Sequence, residues 1–184
     1  MSVATERKME GGFSNASAGE KHPITASDFV EKIKSALGET WLPRIYRERI
    51  LPTRTRAHHL KLPQKFGSVD VQHTLLGVEL KVGRMRMHCP DFATARYLAT
   101  FARMGCTDVA VPYDITRISS LADELESSWQ RMLLLVEHMA ESRSPRFRSR
   151  VRSLLVSEIG KEISEAGAGT AIPAFNQNTK QRRT

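Results

Sequence analysis

The chain has 184 residues, of which 40% are hydrophobic, enough for one domain with a real core and too few for two large ones. Its 28 lysines and arginines against 20 acids give a net charge of +8 and an isoelectric point of about 9.9, which bears on partners and solubility rather than on fold. No apolar run reaches the roughly 18 residues of a membrane span, no apolar signal-peptide core follows the N-terminus, and Glu6, Glu10 and Glu20 argue against an acid-poor transit peptide; a soluble intracellular protein, cytoplasmic by default, is expected.

Residues 1–24 are rich in Gly, Ser, Glu and Lys without an apolar period, and are expected to be disordered. Residues 25–113 read as a small α/β domain. Ser27 is placed to cap a helix whose face is Val30, Ile33 and Leu37, with Gly38 ending it. Trp41-Leu42-Pro43 restarts a short helix through Ile50, stopped before Pro52. Residues 52–66 hold Pro52, Pro63 and many cations, so they read as a loop or extended arm, and 44–65 as a whole as a basic arm.

Val69, Val71, His73 and Leu75 alternate with polar residues, which predicts a half-buried strand with His73 on its apolar parity. Gly77 turns the chain into a second strand carrying Val78, Leu80 and Val82. Gly83 marks a bulge or a second turn before Met85, Met87 and Cys89. Pro90-Asp91 starts a helix to Met104 with Phe92, Ala95, Leu98, Phe101 and Ala102 inward, and Gly105 suits its C-terminal end. Val109-Ala110-Val111 then reads as a short buried strand. Strand, helix and strand make a βαβ unit, expected to be right-handed. Parallel neighbours would set Cys89 and Cys106 at opposite ends of a sheet, too far apart for a disulfide, and free thiols fit a reducing compartment.

Residues 114–166 change period. Ile115, Ile118, Ala122, Leu125, Trp129, Met132, Val136 and Met139 alternate steps of three and four, an a/d seam over about four heptads. Ser144-Pro145 supplies an N-cap and a proline at the first helical position of another helix, with Phe147, Val151, Leu154, Leu155, Ile159 and Ile163 as its apolar face. A short link between two amphipathic helices predicts an antiparallel hairpin. The tail 167–184 reads as disordered and basic. The fold class expected is mixed α/β (α+β): a small mixed sheet with a βαβ unit, followed by a long two-helix antiparallel hairpin.

Arginine is the most informative residue type, and it falls in two blocks. The first comprises Arg44, Arg47, Arg49, Arg54, Arg56, Lys61 and Lys65, interleaved with Trp41, Tyr46, His58 and His59. Cations among aromatics suit stacking plus phosphate contact on single strands or RNA; equally, Trp41, Ile45 and Tyr46 can anchor the segment to a core. The second block, Arg143, Arg146, Arg148, Arg150 and Arg152, lies at the hairpin tip, with no acid between Ser142 and Ser157. Guanidiniums offer fixed, paired donors to phosphate; the alternative is a solvated face pairing with Glu137 or Glu141 of the preceding helix. The expected partner is therefore nucleic acid, DNA or RNA, or else an acidic protein that this chain serves as a structural or regulatory subunit. No zinc-finger spacing, RRM aromatic motif or KH loop is present. The a/d seam is a core feature or a homodimer interface through Leu125, Trp129, Met132 and Val136.

One catalytic arrangement stands beside the binding one. Asp70 precedes Glu79-Leu80-Lys81 on an adjoining strand, and two carboxylates with a lysine can hold Mg²⁺ against a scissile phosphate. This resembles the PD-(D/E)XK nuclease core, in which an acid on one strand precedes an acid-x-lysine on the next. The resemblance covers about 60 residues, departs from the pattern at Val69 where proline is usual, and implies an Mg²⁺-dependent nuclease with Asp70, Glu79 and Lys81 in its site. Without it no cofactor is expected, and the three residues are cross-strand pairs on a solvent face. His58, His59, His73, His88 and Cys89 have no recognised zinc spacing, and the sequence names no base for Cys106 as a nucleophile.

Overall fold

The computed structural model describes residues 25–63 and 67–169. The segments expected to be disordered, 1–24 and most of 167–184, lie outside the described residues, as does Lys65. The first helix, α1 (Ala26–Leu37), starts one turn position earlier than the apolar pattern suggests. Thr25 is the N-cap, and it forms a capping box with Asp28 that satisfies donors in both directions. Ser27 is thus inside the helix. After a 3-10 turn at Gly38–Thr40, α2 (Leu42–Ile45) runs directly into a π-helical turn, Tyr46–Ile50, closed by the Leu51 N–H donating to the Tyr46 carbonyl at 3.0 Å.

The first correction concerns the arm. Thr55–His59 is a strand, β1, and not a loop. Strands β2 (Val69–Thr74), β3 (Gly77–Val82) and β4 (Met85–Cys89) follow, then α3 (Phe92–Arg103), β5 (Asp108–Pro112), α4 (Ile115–Met139) and α5 (Pro145–Ala166). The second correction is topological. The strands divide into two antiparallel sheets, β1–β5 and β2–β3–β4, so β4, α3 and β5 do not form the expected βαβ unit. The class is mixed α and β, with the two long C-terminal helices as expected. Cys89 and Cys106 are both buried and free; Cys89 ends β4, and Cys106 lies in the loop before β5.

The three-stranded sheet is a meander with two tight turns. Leu75-Leu76 joins β2 to β3, since Thr74 faces Gly77, and Gly83-Arg84 joins β3 to β4, since Val82 faces Met85. Gly83 therefore turns the chain at φ +59°, a conformation open to glycine at little steric cost. Leu75, expected on the inner face, sits in the turn and is wholly exposed. His73 is likewise exposed, not a core histidine; its ring stacks on Phe92 with centroids 5.0 Å apart. The face bearing Leu80 and Val82 is buried, and α3 packs against this sheet on one side and against α4 on the other.

One contiguous core then joins both halves of the chain, from Ala26 to Ile163. The seam of α4 is spent within it. Leu125, Met132 and Val136 are fully buried, and Trp129 is half-buried against the same cluster. A symmetric dimer through these side chains would have to remove them from the core. The periodic pattern is the same in both cases, because an a/d stripe records only that a face is buried. α5 packs more against α1 than against α4, so the hairpin is held largely by a third helix.

The two-stranded sheet is completed by side chains. Hydrogen bonds from Tyr113 N–H to the Arg54 carbonyl (3.1 Å) and from Leu60 N–H to the Thr107 carbonyl (2.6 Å) fix the alternation of the β1–β5 ladder. Ala57 opposite Ala110 is consequently a non-hydrogen-bonded pair, and the polar groups of Ala110 point away from β1. Two buried tyrosines receive them. Ala110 N–H donates to Tyr46 Oη at 2.9 Å, and Tyr97 Oη donates to the Ala110 carbonyl at 2.6 Å. Tyr46 Oη in turn donates to the Gly167 carbonyl at 2.7 Å, tying the end of α5 to the same strand. Burial raises both phenols above their ordinary pKa, so both remain protonated donors at neutral pH.

Two outcomes follow from this packing. Tyr46→Phe strands the Ala110 N–H and the Gly167 carbonyl, and is expected to cost roughly 1–3 kcal/mol in urea unfolding; an unchanged midpoint would refute the role of the hydroxyl. Leu125→Ala is expected to cost about 2–5 kcal/mol by cavity formation with no change of native mass in size-exclusion chromatography with light scattering. A lighter, fully stable species would instead identify a dimer seam.

Candidate functional site

The sequence places its cations in two blocks; the folded chain sorts them by whether a carboxylate reaches them. In the first block the helical part is neutralised. Arg44 Nε pairs with Glu48 at 2.8 Å, Arg47 with Glu162 at 3.0 Å, and Arg49 with Glu124. Glu162 is a hub. It accepts from Trp41 Nε1 at 3.2 Å and Lys34 Nζ at 2.6 Å besides Arg47, and its side chain is only 12% exposed. Trp41, Ile45 and Tyr46 are buried, so this segment is anchored to the core.

The strand part of the block is different. Arg54 and Arg56 lie over the ring of Tyr113, their guanidinium carbons 5.2 and 6.0 Å from its centroid. The register that puts Arg54 opposite Tyr113 makes this contact. Arg56 Nε is buried and has no hydrogen-bond partner among the described residues. Lys61 is exposed beyond the end of β1. His59 Nδ1 lies 2.8 Å from an Asp108 carboxylate oxygen at the other end of the ladder. Burial, then Arg56 and His59, lowers the His58 pKa, so this imidazole is neutral at pH 7.

At the tip of α4 and α5 the second block also divides. Arg148 pairs with Glu137 at 2.9 Å, and Arg152 reaches the same carboxylate. That ridge shares one carboxylate between two guanidiniums and is neutralised only in part. Arg143, Arg146 and Arg150 are exposed and have no carboxylate within ion-pair distance among the described residues. Arg143 lies over two rings, 5.8 Å from Phe29 and 5.5 Å from Phe147, which pack edge to face at 5.2 Å. Lys32 lies 6.0 Å from the Phe29 ring. The tip is therefore a cationic surface around a small aromatic pair.

The nuclease-like residues share a face, as alternation predicts. Asp70 is directly opposite Lys81, and Glu79 is opposite Gln72 and His88 on the solvent side of the meander. They are not drawn into a cation site. Asp70 is exposed, Glu79 pairs with Arg86 at 3.5 Å, and among the described residues no three His, Cys, Asp or Glu side chains converge to hold a metal. The donor set does not fit the Mg²⁺ that the resemblance implies, and no step is derived through it. Burial pushes the Cys106 thiol up to about 12, which leaves it protonated and without nucleophilic character. A shallow groove of about 620 Å³ separates the end of α3 from α5, but its two arginines, Arg103 and Arg152, are paired with Glu126 and Glu137.

Sequence reasoning missed Lys32, Phe29 and Tyr113. Phe29 and Lys32 belong to a helix remote in sequence from the tip, and Tyr113 reaches Arg54 only through strand pairing. No local signal marks any of them. No family model, curated protein or solved structure matches this chain. Among the described residues, no helix is long and apolar enough to cross a membrane.

The Glu162 hub has a pH signature. Burial raises its carboxyl, and Lys34, Trp41 and Arg47 outweigh that and hold it below the ordinary glutamate value. A folded pKa below the unfolded one stabilises above the unfolded value and is lost as pH falls through the folded one. The melting-temperature difference between wild type and Glu162→Gln is therefore expected to be largest near neutrality and to shrink below about pH 4. A difference independent of pH would remove the charge from the explanation.

Proposed function

We propose that this chain is a non-catalytic nucleic-acid-binding module that grips phosphates, mainly through the tip of α4 and α5. The observation that carries this reading is the sorting of the arginines. Arg143, Arg146 and Arg150 gather on one end without a carboxylate partner among the described residues, while Arg148 and Arg152 beside them share the carboxylate of Glu137. Leaving unpaired cations together is unfavourable for the free protein and favourable for a polyanion, because each phosphate contact releases condensed counterions. Arg146 and Arg150 lie one turn apart on α5 and reach the same side. Arg54, Arg56 and Lys61 form a second, smaller contact. Arg44, Arg47 and Arg49 are assigned to the fold rather than to the ligand.

One observation favours a different reading, docking onto an acidic protein as a structural or regulatory subunit. The β2–β3 turn exposes Leu75 and Leu76 at 105% and 83%, with Phe92 at 44% nearby. Exposed apolar side chains at a turn suit a protein surface better than a phosphate backbone.

The two readings separate on a salt titration. Arg146→Glu with Arg150→Glu is expected to weaken binding to a DNA or RNA oligonucleotide and to flatten the slope of log K against log salt by about two units on duplex. Leu75→Ser with Leu76→Ser should leave that binding unchanged. Equal affinity of wild type and the arginine variant at every salt concentration would sink the phosphate reading, and loss of a protein partner on the leucine changes would favour the other.

A further inference from the structure

We infer that Tyr113, flanked by Arg54 and Arg56, is a stacking site for an unpaired nucleobase, so that the chain takes single-stranded nucleic acid; this rests on the phosphate-binding reading above and names its substrate class. Four observations converge on it. Tyr113 is an aromatic side chain left 45% exposed in a chain whose other tyrosines, Tyr46 and Tyr97, are fully buried. Its position is rigid, because the Tyr113 N–H donates to the Arg54 carbonyl at 3.1 Å at the last rung of the β1–β5 ladder. Two guanidiniums already lie against its ring, at 5.2 and 6.0 Å, and neither has a carboxylate within ion-pair distance among the described residues. One of them, Arg56, keeps a buried Nε–H with no acceptor, a donor whose lack of a partner calls for one.

The acid next to Tyr113 in sequence is engaged elsewhere. Asp114 is the N-cap of α4, and its carboxylate accepts from Thr116 N–H at 3.0 Å and from Thr116 Oγ1 at 2.7 Å. Those bonds hold its pKa below the usual value and turn it into its own helix. An exposed ring beside free guanidiniums is the combination by which a base stacks while its flanking phosphates are contacted. A base within a duplex has its faces covered by its neighbours, so the ring selects for unpaired strands. Carboxylates match arginine donors as phosphates do, so it is the exposed ring beside them that favours a nucleobase over a protein side chain.

The test uses the full chain and fluorescently labelled oligo(dT), oligo(U) and a duplex, each of about 20 nucleotides or base pairs, followed by anisotropy at fixed salt. Tyr113→Ala is expected to weaken binding of single strands by about fivefold to a hundredfold and to leave duplex binding nearly unchanged. Tyr113→Phe, which keeps the ring, should bind single strands like wild type. The dT and U arms compare a DNA strand with an RNA strand, which differ in the 5-methyl group of the base as well as in the sugar. Equal loss on duplex and single strand, equal loss for Tyr113→Phe and Tyr113→Ala, or no loss at all, each overturns the stacking site while leaving the phosphate reading intact. Binding of poly-glutamate with the same dependence on Tyr113 would assign the site to an acidic protein and overturn it too. Failure of wild type to bind any of the three oligonucleotides at low salt is the separate result that removes the phosphate reading.

Discussion

The fold depends on how the outer edge of β5 is closed. A two-stranded sheet is at best marginally stable alone, and its free edges expose unpaired backbone groups. Here Ala110 carries that burden at full burial. Tyr46 and Tyr97 supply one acceptor and one donor to it, acting in place of a third strand. Because Tyr46 begins the π-helical turn and Tyr97 lies in α3, these bonds fasten two helical segments to β5. The bond from Tyr46 to the Gly167 carbonyl adds the end of α5. Edge-to-face packing of Phe101 on Tyr46, at 5.6 Å, and its contact with Tyr97 at 5.0 Å fill the space between them. In a low-dielectric interior such satisfied networks fix a single arrangement, and partly satisfied ones are costly.

Closing that edge also decides where the charges lie. With β5 held, β1 can pair only on its other side, which sets Arg54 opposite Tyr113 and aims Arg56 toward the same ring. Glu48 reaches Arg44 from one turn away, and the other acids that reach the helical arginines of the two blocks come from α4 and α5: Glu124 for Arg49, Glu162 for Arg47, and Glu137 shared by Arg148 and Arg152. Glu124 and Glu162 are 75 and 115 residues from their partners in sequence. A formal charge of +8 is thus a poor guide to the available cations. What distinguishes Arg143, Arg146 and Arg150 is that α1, which packs beside them, presents Phe29 and Lys32 there instead of a carboxylate.

Much of this was legible in the residues, and the rest has a physical reason for escaping. The helices α3, α4 and α5 were marked by long periods and by Asp91 and Ser144 as caps, both of which accept bonds from the first turn. The Gly77 and Gly83 turns were marked by glycine. β1 was not, because Thr-Arg-Ala-His-His has neither the apolar alternation nor the β-branched content of a strand, and its pairing with β5 spans some fifty residues. The partner of β5 is equally hidden, since a short buried apolar run is compatible with either a parallel or an antiparallel neighbour. The α4 seam has the expected period, and its packing on α3 and α1 is a matter of tertiary structure. Parity alone predicts the face that Asp70, Glu79 and Lys81 share. Parity says nothing of convergence, and Arg86 takes Glu79.

The two cationic regions lie at opposite ends of α4, and a helix of 25 residues holds them about 37 Å apart at 1.5 Å per residue. Being buried along much of its length, α4 fixes that separation. The chemistry at the two ends also differs in kind. At the tip, attraction is Coulombic between exposed groups and is screened over roughly 10 Å at ordinary ionic strength. At Tyr113 the proposed stacking on a ring would add, to the screened attraction of Arg54 and Arg56, a contact less dependent on salt. A ligand long enough to span both ends would gain from effective concentration rather than from new contacts, and a short one would report each end separately. The rigid spacing set by α4, and behind it the closed edge of β5, is therefore what would convert two weak surfaces into one binding face.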